Sequence, residues 1–361
     1  MMGRRSNPHR TPSNIKGSEA APPSTKGSEA APLGVKMKAS AIANSNIAFV
    51  KYWGDTDSAL HLPANPSISM NLGGLRTTTT VVFSAEQELD EVMINGAPAA
   101  DAALHRVTAH LNRVRTLAGT EMRARVVSRN SFPTGAGLAS SASAFAALTL
   151  VATAALGLTL TQDELSALAR LGSGSACRSI PTGFVEWVAG DSHEASRARS
   201  IAPPDHWPLC DCIAIVSATH KTVNSTEGHA RAPSSPFQRS RVDGAAARVA
   251  ACRAAILKRD LPALGQAMEI DTVMMHAIAM TSRPPIYYWA PATLRIIRAV
   301  LTWRAAGLPV YYTVDAGPNV HCLCEAPDAA EVAQRLEALP GVQQVRTALP
   351  GEGARLCSES D

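Results

Sequence analysis

Thirteen residues, SFPTGAGLASSAS (131–143), constrain the fold more than any other stretch of the chain. A proline, two glycines and a run of serines and alanines lead without a break into an Ala- and Leu-rich helical pattern that continues to about residue 156. Gly135 and Gly137 allow a tight turn and let backbone N–H groups come close to a ligand. A helix starting near Ala139 turns its unpaired N–H groups and the positive end of its dipole toward the same place. Such an arrangement cradles an anion, with Ser140, Ser141 and Ser143 adding hydroxyl donors. It matches neither the Walker nor the dinucleotide fingerprint. Taken alone, it reads equally well as a helix start with small residues for close packing.

The chain around this stretch is globular. Hydrophobic residues make up 46% of the 361 residues and charged residues 18%, enough apolar material for a sizeable core. A net charge of +4 is too small and too dispersed to indicate nucleic acid. No apolar run approaches the ~20 residues that span a bilayer, and the N-terminus lacks the apolar segment of a secretory signal. Residues 1–36 carry KGSEAAP twice, are rich in Pro, Ser, Gly and Ala, and are expected to form a disordered tail, with Met37 as an alternative start. A second flexible tail is expected over 351–361. The seven cysteines include two C-x-C pairs in strand-like segments, Cys210/Cys212 and Cys322/Cys324. Such pairs share a strand face and allow a metal or redox pair, but buried thiols in a reducing cytoplasm are the simpler reading.

From Lys38 onward strands and helices interleave without regular βαβ spacing, which predicts an α+β fold. Strands are expected at 45–53, 77–85, 123–128, 183–189, 210–218, 309–316 and 321–326. Helices are expected at 103–117, 161–171, 235–258, 261–279, 291–306 and 328–338, the second opening on a capping-box spacing, Thr161 and Glu164. The loop-like composition of 190–208 places a lobe boundary there, giving lobes over 37–205 and 206–350.

Three further stretches carry candidate chemistry. In NIAFVKYWGD (46–55), Lys51 follows an apolar strand and sits beside two aromatics and a glycine, placed to neutralise a carboxylate or phosphate. In GSGSACRS (172–179), hydroxyls accompany Arg178, whose fork suits a carboxylate or phosphate. In TVDAGPNV (313–320), Asp315 ends a strand before a tight loop, a position open to a general base. Each has a plainer counterpart: a solvated lysine, a surface ion pair, a turn aspartate.

Together and in this order, the four stretches resemble the mevalonate diphosphate decarboxylase family of the GHMP kinase superfamily. The elements that carry the resemblance are Lys51–Gly54, Phe132–Ser141, Gly172–Ser179 and Asp315–Asn319, with weaker agreement at NSTEG (224–228), MHA (275–277) and SRPPIYYW (282–289). It spans roughly residues 38–340. It implies a two-lobed α+β GHMP kinase-like fold with the site in the cleft between lobes, a small-molecule substrate, ATP and Mg²⁺, a homodimer and a cytoplasmic location. It also implies the reaction: phosphorylation of the tertiary 3-hydroxyl of a mevalonate phosphate, then loss of phosphate and CO₂ to form an isopentenyl phosphate. By the resemblance Asp315 faces the 3-hydroxyl, Lys51 stands beside it and favours its ionised form, and Arg178 holds the substrate carboxylate. Ser141 meets the ATP phosphates and Mg²⁺, and Gly135, Gly137, Ser140 and Asn130 complete the nucleotide side. Ser173, Ser175 and Tyr52 contact the substrate phosphates.

One position departs from the family. Diphosphate-using members usually read K-Y-W-G-K, and here the final lysine is Asp55. Replacing a cation with an anion beside a terminal phosphate favours mevalonate 5-phosphate as substrate, with the diphosphate as the alternative; Arg76 or Lys221 reaching in would reverse that preference. A mevalonate 3-kinase and a non-catalytic sensor on the same fold are the remaining alternatives.

Overall fold

The computed structural model describes residues 36–132, 140–217 and 223–358. The first half of the chain contributes β1 (Lys36–Val50), β2 (Asp55–Asp57), β3 (Leu62–Pro63), β4 (Ser67–Ser84), β5 (Glu91–Ile94), β6 (Ala97–Pro98), α1 (Asp101–Ala118), β7 (Arg123–Asn130), α2 (Ser140–Ala155), α3 (Gln162–Gly172), a 3₁₀ turn (Gly174–Ser179), β8 (Phe184–Trp187) and β9 (Ala198–Ala202). The second half adds β10 (Leu209–Ile215), α4 (Ser225–Arg231), α5 (Gln238–Asp243), α6 (Ala245–Lys258), α7 (Leu261–Thr281), α8 (Pro291–Ala305), β11 (Tyr311–Val314), β12 (Val320–Glu325), α9 (Ala329–Glu337), β13 (Gln344–Ala348) and β14 (Arg355–Leu356).

An eight-stranded sheet runs β14-β1-β4-β7-β5-β6, with β8 paired to β4 and β9 to β8. Its backbone is β4, whose β-branched run Thr77–Val82 suits a pleated, half-buried surface. The sequence pattern catches only that half. Ser67–Leu72 belongs to the same strand, and Gly73–Gly74 mark an irregularity where the pairing with β1 jumps from Leu72 to Arg76. Gly74, at φ 83, takes a conformation that few side chains tolerate. α2 lies on this sheet and is buried nearly all round, as its apolar composition demands. Ala146, Ala147 and Ala152 let it approach closely, while Phe145, Leu148 and Val151 fill the space to α1 and α3. The capping box at the start of α3 is formed: Thr161 Oγ1 accepts from Glu164 N–H at 3.3 Å, and Glu164 accepts from Thr161 N–H at 2.7 Å.

The second sheet runs β11-β12-β10-β13. Register sets Cys210 opposite Cys324 and Cys212 opposite Cys322, all four on the face covered by α8 and α9. Every cysteine is a free thiol, and among the described residues no cluster of metal-ligating side chains forms. Burial pushes the Cys177 and Cys252 thiols up to about 12, which suits packing rather than reactivity.

The segment expected to form a flexible tail from 351 instead returns to the first sheet. Gly351 N–H donates to Asn71 O at 2.8 Å, and Arg355–Leu356 pair with Ile42 and Ala41 of β1. The turn after β13 therefore carries the chain back across the molecule. The expected helix over 235–258 is broken at Gly244 into α5 and α6. Among the described residues no helix is long and apolar enough to cross a membrane.

Candidate active site

β1 ends at Val50, and the next residue, Lys51, is buried at 3% exposure. Its ammonium donates to Asp315 Oδ1 at 2.6 Å and to Ala48 O at 2.7 Å. Its backbone N–H and carbonyl are each held by a residue from the second half of the chain. The N–H donates to Asp271 Oδ2 of α7 at 2.6 Å, and the carbonyl accepts from Arg241 of α5 at 2.8 Å and from Asn65 at 3.0 Å. Asp271 also pairs with Arg241 at 3.0 Å and Arg248 at 2.8 Å, so two guanidiniums compensate one buried carboxylate. Desolvation lowers the Lys51 ammonium below the ordinary lysine range, and the carboxylates of Asp315 and Asp271 oppose that shift.

Asp315 follows β11 and is the more open member of its pair, with its side chain 26% exposed against 3% for Lys51. Asn319 fixes its loop by accepting from Val216 N–H at 2.8 Å and Ser217 N–H at 3.1 Å at the end of β10. Arg178, in the 3₁₀ turn, is 4% exposed and donates to Asn46 Oδ1 at 3.1 Å and Ser67 Oγ at 2.8 Å. Both acceptors are neutral, and no carboxylate among the described residues lies at ion-pair distance from Arg178. The Trp187 ring, its centroid 5.7 Å from the guanidinium carbon, is the cation–π partner of this charge.

These groups open onto one cavity of about 820 Å³, which Lys51, Asp315, Arg178, Tyr52, Ser141, Ser173 and Ser175 all line. Ser141 stands at the start of α2 and accepts from Ser173 Oγ at 3.2 Å. Gly174 follows Ser173 because a Cβ there would lie 2.5 Å from the Tyr52 ring. The Tyr52 hydroxyl donates to Asp55, and its ring stacks on His229 with centroids 4.0 Å apart. Ser140 does not reach the cavity. Neither does Asn130, whose Oδ1 accepts from Thr77 Oγ1 at 2.7 Å. Gly135 and Gly137 lie outside the described residues, as does Lys221. Arg76, the other cation considered for the phosphate end, is not part of the lining.

The cavity also includes residues that the motifs did not single out: Asn46, Arg106 and His229. Asn46 sits in the strand leading to Lys51, and His229 immediately follows NSTEG, so both lay beside a recognised stretch. Asp271, Arg241 and Arg248 had no such signal. They are ordinary residues of amphipathic helices until the fold brings them under Lys51.

The sequence matches the family described as diphosphomevalonate decarboxylase-like N-terminal domain over residues 43–198, and the mevalonate 5-diphosphate decarboxylase C-terminal domain over 212–357. The chain belongs to the diphosphomevalonate decarboxylase family. It is 38% identical to the diphosphomevalonate decarboxylase of Aspergillus fumigatus over 326 residues, 84% of this chain and 81% of the relative. The crystal structure of mevalonate diphosphate decarboxylase from Staphylococcus aureus superposes with a TM-score of 0.85 at 35% identity, covering 90% of this chain and 99% of that one. A structure of MDDEF in complex with MVAPP, AMPPCP and magnesium gives 0.84 at 37% identity, with 90% and 100% coverage. The family's two-lobed α+β GHMP kinase-like fold is the fold of this chain.

The family also corrects the preference for a monophosphate substrate. The matched families and relatives are named for the diphosphate. Asp55 is a poor guide because its carboxylate is not a bare charge facing the ligand. It is engaged by the Tyr52 hydroxyl, and burial together with the neighbouring Asp57 pushes it above the ordinary carboxylate range. Arg106, a cation that the motifs did not flag, shares the same cavity.

Proposed function

We propose that this chain catalyses the ATP-dependent decarboxylation of mevalonate 5-diphosphate to isopentenyl diphosphate. The observation that carries the reading is the Asp315–Lys51 pair, joined at 2.6 Å and opening onto the same cavity as Ser141 at the start of α2 and the buried Arg178. Family membership and the relatives' names support it.

The residues fit the groups this reaction needs. The hydroxyls of Ser141 and Ser173 beside a helix N-terminus are hard oxygen donors of the kind that hold phosphate and Mg²⁺. Mg²⁺ at these hydroxyls would be held largely by the nucleotide phosphates. ATP with Mg²⁺ supplies the phosphoryl group that makes the tertiary 3-hydroxyl able to leave. Asp315 orients that hydroxyl and takes its proton, with Lys51 fixing the carboxylate by its 2.6 Å bond. Arg178 holds the substrate carboxylate in a desolvated place, where an unpaired buried cation gains most from an anion. When the C3–O bond breaks, its electron pair leaves with the phosphate, the pair of the bond to the carboxyl carbon becomes the new double bond, and CO₂ departs from Arg178. Ser173, Ser175 and Tyr52 face the phosphate end, Ser140, Gly135, Gly137 and Asn130 belong to the nucleotide side, and the lobes divide within 190–208. A cytoplasmic homodimer is part of the same proposal and rests on the resemblance.

The test follows ADP and CO₂ from purified protein with mevalonate 5-diphosphate and mevalonate 5-phosphate in parallel. Stoichiometric ADP and CO₂ from the diphosphate are expected. ADP without CO₂, or no product from the diphosphate, would overturn the reading.

A further inference from the structure

His229 is part of the cavity wall, and a backbone N–H decides the hydrogen-bonding role of its two ring nitrogens. Gly54 N–H donates to His229 Nδ1 at 2.9 Å, so Nδ1 is an acceptor and carries no proton. Gly54 holds that N–H in place from a left-handed conformation, φ 92, where a Cβ would meet Gln238 at 2.5 Å. The neutral ring therefore carries its proton on Nε2. That N–H has no hydrogen-bond partner among the described residues, while the ring forms part of the cavity wall. The ring itself cannot swing away, since Tyr52 stacks on it at 4.0 Å and Trp53 packs at 4.8 Å.

Tyr52 explains why a donor is wanted here. Its hydroxyl is given to Asp55, so it is not available as a donor to a ligand. His229, against the other side of the same ring system, offers the donor that Tyr52 does not.

We infer that His229 is a substrate-binding residue: its Nε2–H hydrogen-bonds an anionic oxygen at the phosphate end of the bound substrate. This rests on the function proposed above. The donor stays neutral. Burial, with His61, Arg241 and Arg178 nearby, holds the imidazole down to about 3, while Asp55, Glu227 and Arg106 line the same cavity without an ion pair to the ring. Its contact with ligand is accordingly insensitive to pH across the neutral range, unlike that of an ordinary histidine.

Two variants test this. His229→Phe keeps a stacking ring and removes the donor. His229→Gln places an amide N–H near the lost Nε2–H. Wild-type turnover of mevalonate 5-diphosphate is established first; its absence overturns the proposed function rather than this inference. Given turnover, the Phe variant should raise KM for the diphosphate by about tenfold or more, the loss of one hydrogen bond to a charged group, with a much smaller change in kcat. The Gln variant should recover most of that loss. Isothermal titration with mevalonate 5-diphosphate should show the same order of affinities, and melting of the ligand-free proteins checks that both fold. The ratio of Phe to wild-type KM should be the same at pH 6 and pH 8. An unchanged KM in the Phe variant, equal damage in both variants, or a ratio that grows toward acid pH would each overturn the inference.

Discussion

The two ends of the cavity are built on opposite plans. Around Lys51 and Asp315 the polar groups are tied into a buried lattice: Asp271, Arg241 and Asn65 hold the backbone N–H and carbonyl of Lys51, Arg248 pairs with Asp271, and Asn46 and Ser67 aim Arg178. At the phosphate end the contacts are fewer: a serine pair at 3.2 Å, an aromatic stack, the Gly54 N–H bond to His229 at 2.9 Å and one hydroxyl given to Asp55. The contrast shows where orientation must be set before ligand arrives. Groups that meet developing charge gain by being fixed in advance, whereas the phosphates bring enough charge to organise their own surroundings.

The contrast breaks first if the fixed end proves dispensable. Asp315→Asn should lower kcat by about three to four orders of magnitude, the upper range for loss of a positioned acid–base group, while isothermal titration shows ATP still bound. Near-normal turnover would remove Asp315 from the chemistry. Asp271→Asn, leaving the buried Arg241 guanidinium uncompensated and Arg248 without its partner, should cost about 3–5 kcal/mol of stability by urea unfolding, far more than any single change at the phosphate end.

The next effect is on pH dependence. Burial lowers the Lys51 ammonium, so raising pH removes its proton sooner than in free lysine, and the alkaline limb of kcat should fall below the ordinary lysine value of 10.5. Asp271 opposes that shift, so Asp271→Asn should move the limb further toward neutrality in kcat–pH profiles, and an unmoved limb would separate Asp271 from Lys51. The smallest effect belongs to the loose end. Asp55→Asn removes a partly screened anion beside the phosphates and should lower KM for the diphosphate by about fivefold or less. A larger gain would mean that this end is as tightly organised as the other.

What the sequence disclosed follows the same division. Lys51, Arg178, Ser173 and Asp315 stand out locally because each sits at a strand end or in a small-residue turn, and the structure brings all four to one cavity. Asp271 and Arg241 have no local signature. Their place under Lys51 comes from tertiary packing of α5 and α7, and periodicity reads them only as polar positions on helices. Asn130 shows the converse, a residue in a recognisable stretch whose side-chain oxygen is turned to Thr77 and away from the cavity. The length of β4 was hidden by Gly73–Gly74, which look like a turn but act as an irregularity within one strand. β14 was hidden by its brevity, since two residues carry no alternation to detect. Asp55 misled because a formal charge was read without the hydroxyl that engages it.

The return of the chain to β1 has a mechanical consequence. Polypeptide crosses between the sheets twice, outward after β9 and back after β13, and Ile47, Met70, Ile213 and Leu323 from both sheets share one apolar core. A body with two such cords around a common filling resists swinging open like a book. The floor that carries Lys51 is thereby moored to both sheets at once, through Ile47, Phe49 and Val50 on its own strand.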